Sequence, residues 1–280
     1  MDTEFDDFMK NQEHKSASTK KQYKNQYHKL HTMLSKNVAD SSEKYILDAI
    51  SDIKNPNSYA SILNIAIMIR KSQGLKTNTL EKTRENNRHT IIENVKQKNI
   101  LLDASLPSYD ELNDYLDFLH RTQNHQDFVI NYLLINLHTR NEDLAFKIIK
   151  KLADASDDDT NYMVVTHAGK ITFIRNNYKT SKKEGSLYGQ KINKIDDPKF
   201  KSSIRQLYRN NPDDFFIKPE NVGYYVKKAT FKGIGEANYN KIIVNHYRDD
   251  FEKLDEISQS RGTSLKTLKQ FYDIKNKPTN

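Results

Sequence analysis

The stretch RGTSLKTLKQFYDI, residues 261–274, ends a short helical pattern on a tyrosine, Tyr272. A phenol has an ordinary pKa of about 10, so it attacks a phosphate only where nearby cations stabilise its phenolate. The alternative is that Leu265, Leu268 and Phe271 form the apolar face of a helix on which Tyr272 merely packs. The choice between a nucleophile and a core aromatic depends on whether the rest of the chain supplies cationic partners.

Two other segments hold cations at positions where such partners are expected. Arg140, in LLINLHTRNEDL, directly follows a strongly apolar segment. An isolated charge there is costly to bury unless it binds a ligand or has an oppositely charged partner. Lys179, Lys182 and Lys183 share the polar turn NYKTSKKEG. Lysines on an exposed turn are usually solvated or contact phosphates, so spacing alone does not decide which of the three acts.

The part of the chain that carries these residues is predicted to form helices around a small sheet. Ser108 followed by Glu111 is a capping box that opens a helix, and QDFVINYLLINLHT is an apolar helix expected at the centre of the core. The apolar and polar residues then alternate, which indicates three short strands: NYMVVT (161–166), KITFIRN (170–176) and GSLYGQKI (185–192). After the sheet the pattern is helical again as far as the tyrosine.

The preceding residues are predicted to form a small all-helical domain with a basic face. Its helices are expected through TKKQYKNQYHKLHTMLS, at about 42–53, from Ser58 to Ser72 and at about 78–99. We therefore predict three parts, which are an acidic N-terminal arm (1–13), a helical domain (14–99) and a second domain (100–280).

Composition excludes several kinds of chemistry and of location. The chain has no cysteine, which excludes disulfides, thiol catalysis and cysteine-based zinc sites. The N-terminal MDTEFDDFMKNQEHK lacks a signal-peptide pattern, and the longest apolar run, SILNIAIMI, is too short to span a bilayer. We expect a soluble intracellular protein without a membrane partner.

The formal net charge of +8 is unevenly distributed. Residues 14–99 carry 16 Lys and Arg against 7 Asp and Glu, and residues 169–209 carry 11 against 3, whereas residues 100–168 carry 5 against 12. Two basic blocks around an acidic one predict two surfaces that grip a polyanion, although Lys-rich surfaces also serve solubility alone. The side chains expected at such a surface are Lys20, Lys21, Lys24, Arg70, Lys71, Lys182 and Lys183.

The order of these features resembles the tyrosine recombinase (phage integrase) family: a buried helix, HTRNEDL, a sheet with a lysine-bearing turn, further helices and a late tyrosine. The resemblance covers about residues 14–275, and TRNEDL and NYKTSKKEG are most similar to versions in large DNA viruses and phages. It implies a mainly α fold with a small antiparallel β-sheet, in which a helical core-binding domain precedes an α+β catalytic domain. It also implies cleavage and rejoining of DNA through a 3′-phosphotyrosine, with no metal and no cofactor.

The resemblance assigns a role to each matching residue. Tyr272 would be the nucleophile, nine residues after Thr263 as the family tyrosine follows its GH turn. Arg140 would bind two non-bridging phosphate oxygens in the transition state, and Asp143 would orient that arginine. Lys179 would be the general acid that protonates the leaving 5′-oxygen.

Three positions depart from the family pattern. The family's His-x-x-Arg motif falls on Asn238 and Lys241, and its later histidine falls on Thr263. A lysine keeps the charge and loses the bidentate fork, and an asparagine donates a hydrogen bond but cannot shuttle a proton. For Thr263 the alternative is that it caps the last helix.

Three hypotheses follow. The first is an active, divergent recombinase that acts on double-stranded DNA and assembles as a homotetramer on two duplexes, in the host cytoplasm or nucleus if the chain is viral. The second is a DNA-binding protein that has the recombinase fold and is catalytically weakened or inactive, as the three departures would favour. The third is an unrelated helical protein whose motif matches are accidental.

Overall fold

The computed structural model describes residues 3–15, 17–178, 180–181, 189–210, 212 and 214–274. The chain divides into two compact units, Met1–Gln97 and Lys98–Asn280. Each unit has its own hydrophobic core. Within the described residues no helix is both long and apolar enough to cross a membrane.

The first unit is built from helices. They are α1 (Thr3–Lys10), α2 (Ala17–Leu34), α3 (Glu43–Ala49), α4 (Pro56–Ser72) and α5 (Asn78–Asp103), whose last residues fall in the second unit. α4 begins where the Asn55 side chain accepts hydrogen bonds from two backbone N–H groups, with Pro56 in the first turn. It ends before Gly74, whose φ of 70° closes the helix without a side-chain clash. The predicted helix from Ser58 to Ser72 is thereby confirmed.

Residues 3–10 belong to the first unit and do not form a separate arm. Phe5 and Phe8 of α1 are buried in the helical core. The Glu4 carboxylate accepts hydrogen bonds from the backbone N–H groups of Val38 (2.9 Å) and Ala39 (2.7 Å). One of the acidic side chains that suggested an arm, Glu4, is therefore buried, and backbone N–H groups satisfy its carboxylate.

The second unit contains seven further α-helices and four strands within the described residues. The helices are α6 (Tyr109–Arg121), α7 (His125–Asn136), α8 (Pro198–Asn210), α9 (Val222–Ala229), α10 (Gly235–His246), α11 (Phe251–Arg261) and α12 (Leu265–Tyr272). The strands are β1 (Phe146–Ile149), β2 (Asn161–Val165), β3 (Ile171–Arg175) and β4 (Lys191–Ile195). The predicted capping box is present, because the Ser108 hydroxyl accepts from the Glu111 N–H and the Glu111 carboxylate accepts from the Ser108 N–H.

The predicted class, mainly helical with a small sheet, is confirmed. The sheet itself is mixed, whereas the sequence predicts an antiparallel one. Its order is β1-β2-β3-β4, with β1 parallel to β2 and the other neighbours antiparallel. β1 lies in a segment for which no strand was predicted. Its parallel pairing with β2 requires a crossover connection, which residues 150–160 supply. β4 starts at Lys191, opposite Arg175, and so lies later than the predicted strand 185–192.

α7 is the centre of the second core, as its apolar sequence predicts. Its inward residues, which are at most 2% exposed, are Phe128, Val129, Ile130, Leu133, Leu134 and Ile135. A helix that is buried on nearly every side holds the loop after it firmly. That loop carries Arg140.

We predict that Phe8→Ala destabilises the first unit by about 3 kcal/mol, since a buried aromatic ring is removed and a cavity is left behind. Amide hydrogen exchange in α4 measures this change. Met33→Ala is the control, because Met33 is 41% exposed and its truncation should change stability by less than about 0.5 kcal/mol. Equal protection in the two variants would show that α1 is detached from the core.

Candidate active site

Arg140 lies at the end of the loop after α7. Its side chain is 16% exposed and forms an ion pair with Glu142, with 3.8 Å between Arg140 Nη1 and Glu142 Oε1. Among the described residues this buried Nη1 has no hydrogen-bond partner. A guanidinium with an unused buried donor has capacity to bind a further anion.

Asp143 touches Arg140 through the backbone. Its carboxylate accepts the Arg140 N–H at 3.0 Å, and its ion pair is with the guanidinium of Arg175, at 3.3 Å. Burial raises the pKa of Asp143, and the Arg175 charge opposes this effect. Asp143 therefore fixes the chain at Arg140 and is neutralised by a different arginine from the one that the sequence suggested.

Arg175 is a structural residue whose role the sequence motifs do not indicate. It ends β3, is 1% exposed, and donates to the Ser260 carbonyl (3.1 Å) and to the Asn193 side-chain oxygen (3.0 Å). These hydrogen bonds tie the sheet to the end of α11. The available signal was a charge at the end of the apolar strand KITFIRN, where a buried arginine requires a partner.

Lys179, Lys182 and Lys183 lie outside the described residues. Their neighbour Thr180 donates its hydroxyl hydrogen to the Gly262 carbonyl at 3.1 Å. Gly262 has φ of 59°, and a Cβ there would clash with the Thr180 hydroxyl oxygen. The sequence immediately after Lys179 is thus held against the turn that precedes α12, and that close approach requires glycine.

Lys191 is a further basic residue near Arg140. Its ammonium donates to the carbonyls of Gln259 and Ser260 at the end of α11. Burial, assisted by the charges of Arg175 and Arg140 and opposed by that of Asp143, lowers the pKa of Lys191 to about 8. No signal in the sequence favours this lysine over the turn lysines.

α12 is anchored at both ends. Ser264 is its N-cap and accepts the Thr267 N–H at 3.1 Å, so the expected alternative role of Thr263 as the cap is wrong. At the other end, Asn245 donates to the Tyr272 carbonyl at 3.0 Å and Asn99 donates to the Phe271 carbonyl at 3.2 Å. Side-chain amides thereby satisfy carbonyls that a helix C-terminus leaves unpaired.

Asn238, Lys241 and Asn245 lie on one face of α10, because residues three and four apart share a helix face. Asn245 contacts the end of α12, so Lys241 lies one turn away from it. Burial lowers the pKa of Lys241. Asn238 donates to the Ile234 carbonyl of its own helix at 3.0 Å, and this bond holds its amide in a structural role.

Arg261 connects the nucleophile candidate with the Arg140 loop. Its guanidinium carbon lies 5.5 Å from the centre of the Tyr272 ring. Its Nη1 donates to the carbonyls of His138 and Thr139, each at 3.2 Å, and Thr139 directly precedes Arg140. Tyr272 is half-buried, and it packs against the cluster formed by α10, α11 and α12. Tyr272 therefore packs against the core and also lies beside one cation, Arg261.

The basic candidates of the first unit divide into two kinds. Lys21 and Lys24 are exposed, and Lys20 is half-exposed. Arg70 is 7% exposed and donates to the carbonyls of Val38, Ser41 and Lys76, so its assignment to a binding surface is wrong. Two of these partners, Val38 and Ser41, lie 32 and 29 residues away in the sequence, so the position of Arg70 in the sequence does not reveal them. Lys71 is exposed and pairs with Glu81.

The described residues contain no group of three or more side chains that could hold a metal ion. His138, with φ of 50°, is 3% exposed, and its two ring nitrogens have no hydrogen-bond partner among the described residues. Burial, assisted by the charges of Lys253, Arg261 and Arg175, lowers the pKa of His138 from 6.5 to about 3.

We predict that His138 destabilises the protein in acid. A depressed pKa in the folded state means that unfolding takes up a proton between about pH 6.5 and pH 3, so stability falls as pH falls through that window. Between pH 6 and pH 4 the wild-type protein should lose about 2 to 3 kcal/mol more than His138→Asn, measured by urea unfolding. Asparagine tolerates positive φ and does not titrate. Parallel pH profiles for the two proteins would contradict a buried neutral imidazole.

No protein-family model matches the chain, and no curated protein matches it. Among solved structures, the chain is similar to the crystal structure of XerA recombinase, at 12% sequence identity and a TM-score of 0.38. The match covers 98% of this chain and 93% of that chain. A likeness this weak does not assign the chain to a family.

Proposed function

We propose that this protein is a site-specific DNA recombinase, an integrase or resolvase, that breaks and rejoins strands through a phosphotyrosine at Tyr272. The observation that carries the proposal is the buried guanidinium of Arg261, which contacts both the Tyr272 ring and the carbonyl next to Arg140. Arg261 thereby links the phenol of Tyr272 to the loop that carries Arg140, whose guanidinium has an unused donor. Their types match nucleophilic attack on a phosphodiester.

In the proposed reaction the Tyr272 oxygen attacks phosphorus and loses its proton to solvent. A bond from phosphorus to the tyrosine oxygen forms while the bond to the 5′-oxygen breaks. Lys179 donates a proton to that leaving oxygen. Arg140 and Lys241 bind the non-bridging oxygens, whose negative charge grows in the transition state. The 5′-hydroxyl of a partner strand then reverses the step within a tetramer on two duplexes.

A second candidate function is DNA binding without strand cleavage. Asn238 lies at the position of the family's first motif histidine, and its side-chain amide donates a hydrogen bond to a carbonyl at the start of its own helix. Lys241 supplies a point charge where a guanidinium fork would bind two oxygens. Salt-sensitive DNA binding without a covalent adduct under any condition would favour this candidate.

We predict that a duplex nicked near the cleavage site traps a covalent protein–DNA adduct, because the nick lets the cleaved fragment diffuse away. Tyr272→Phe should abolish the adduct. Arg140→Lys keeps the charge and loses the fork, and should slow adduct formation by about 10²- to 10³-fold. Denaturing gel electrophoresis of labelled DNA measures both effects.

The control is Tyr224→Phe, which removes the hydroxyl of an exposed tyrosine in the same unit. It should form the adduct at the wild-type rate. If adduct persists in Tyr272→Phe, the nucleophile is another residue. If the wild-type protein forms no adduct with any fragment of the DNA of its source organism, strand cleavage is excluded.

We predict that DNA binding weakens steeply with salt, since cations that bind phosphates release counterions. The double change Lys21→Glu and Lys24→Glu should lower affinity and reduce the slope of log K against log salt by roughly 0.9 for each phosphate that the protein no longer neutralises. The double change Lys44→Glu and Lys54→Glu, at exposed positions of the first unit outside α2, is the matched control because it adds the same negative charge. Equal decreases in affinity from the two changes would refute a specific DNA-binding surface on α2.

A further inference from the structure

We infer that Arg261 is a positioning residue of the site, which fixes the Tyr272 ring relative to the Arg140 loop and places a guanidinium beside that ring. Its effect on a reaction rests on the proposed function, whereas the hydrogen bonds and the ring packing do not. The family pattern assigns no role to this position, because the expected second cation was Lys241. Arg261 directly precedes Gly262 at the end of α11.

Three separate elements meet at this guanidinium. Nη1 donates to the His138 and Thr139 carbonyls of the loop after α7. Nη2 pairs with the Glu236 carboxylate in the first turn of α10. The ring of Tyr272 on α12 lies beside the guanidinium carbon at 5.5 Å. Since the arginine side chain is 3% exposed, it cannot swing away without breaking these interactions.

A planar fork can make these interactions at the same time, and few other side chains can. Lysine would keep the charge, but its ammonium cannot span two carbonyls, a carboxylate and a ring face in one fixed plane. Glutamine would keep an amide donor and lose the charge. The two substitutions therefore separate the charge of Arg261 from its hydrogen bonds.

The charge has a direct consequence for the nucleophile. A cation within about 6 Å of an aromatic ring is attracted to its electron density. That attraction grows when the phenol gains negative charge during attack, so the guanidinium stabilises the transition state more than the ground state. The geometric contribution is also large, because a displacement of about 1 Å at a reacting group slows a reaction by about 10²-fold.

The first readout is the single-turnover rate of adduct formation on the nicked duplex. We expect a decrease of about 100-fold for Arg261→Gln and about 10-fold for Arg261→Lys, with the Kd for DNA changed by less than about twofold in both, because the guanidinium is buried. Equal decreases in the two variants, or a wild-type rate in a folded Arg261→Gln protein, would overturn the inference. Arg248→Gln, at an arginine beyond the end of α10, is the control and should keep the wild-type rate.

The second readout is independent of DNA. Protein labelled with 3-fluorotyrosine gives a ¹⁹F resonance for residue 272, assigned by its disappearance in Tyr272→Phe. The resonance should move in Arg261→Gln, move less in Arg261→Lys and stay in place in Arg248→Gln. A resonance that stays in place in folded Arg261→Gln would overturn the inference. Thermal unfolding verifies that each variant is folded. If Arg261→Gln does not fold, Arg261→Lys alone is compared with the wild-type protein.

The two readouts distinguish the possible failures. If the wild-type protein forms no adduct and the resonance moves as expected, the proposed function fails and the positioning role of Arg261 stands. If the adduct forms and neither rate nor resonance responds to Arg261, the proposed function stands and the inference fails.

Discussion

A buried guanidinium is costly unless most of its donors are paired, and the partners of Arg261 organise the second unit around it. The partners are the carbonyls of His138 and Thr139, the Glu236 carboxylate and the face of Tyr272. Leaving such a charge without them would cost several kcal/mol, so the three elements that supply them are held to a single arrangement. The loop of Arg140 and the end of α12 are brought together as a result.

A second buried arginine does the same for the sheet. Arg175 joins β3 to Asp143 on one side and to the Ser260 carbonyl on the other. The sheet, the Arg140 loop and α11 consequently share one network of buried charge. Asn245 then ties α10 to the end of α12 through the Tyr272 carbonyl. The nucleophile candidate is therefore rigidly supported by side chains that do not themselves react.

Local signals were sufficient for much of the fold. The capping box at Ser108, the apolar sequence of α7 and the glycine after α4 all act within a few residues, and the structure contains each feature. The arginines were not predictable in this way. The sequence places Arg70 at a surface and indicates no role for Arg261, because both donate to carbonyls far away in the sequence. The separation is 29 residues between Arg70 and Ser41 and 122 residues between Arg261 and Thr139.

The central claim is that Tyr272 and Arg140 act on one phosphate. A crystal structure of the protein bound to a duplex that contains its cleavage site tests this most directly. The account predicts one backbone phosphate whose oxygens lie within about 3.5 Å of the Arg140 guanidinium and whose phosphorus lies in line with the Tyr272 hydroxyl. A complex in which no phosphate is within reach of both groups would contradict it.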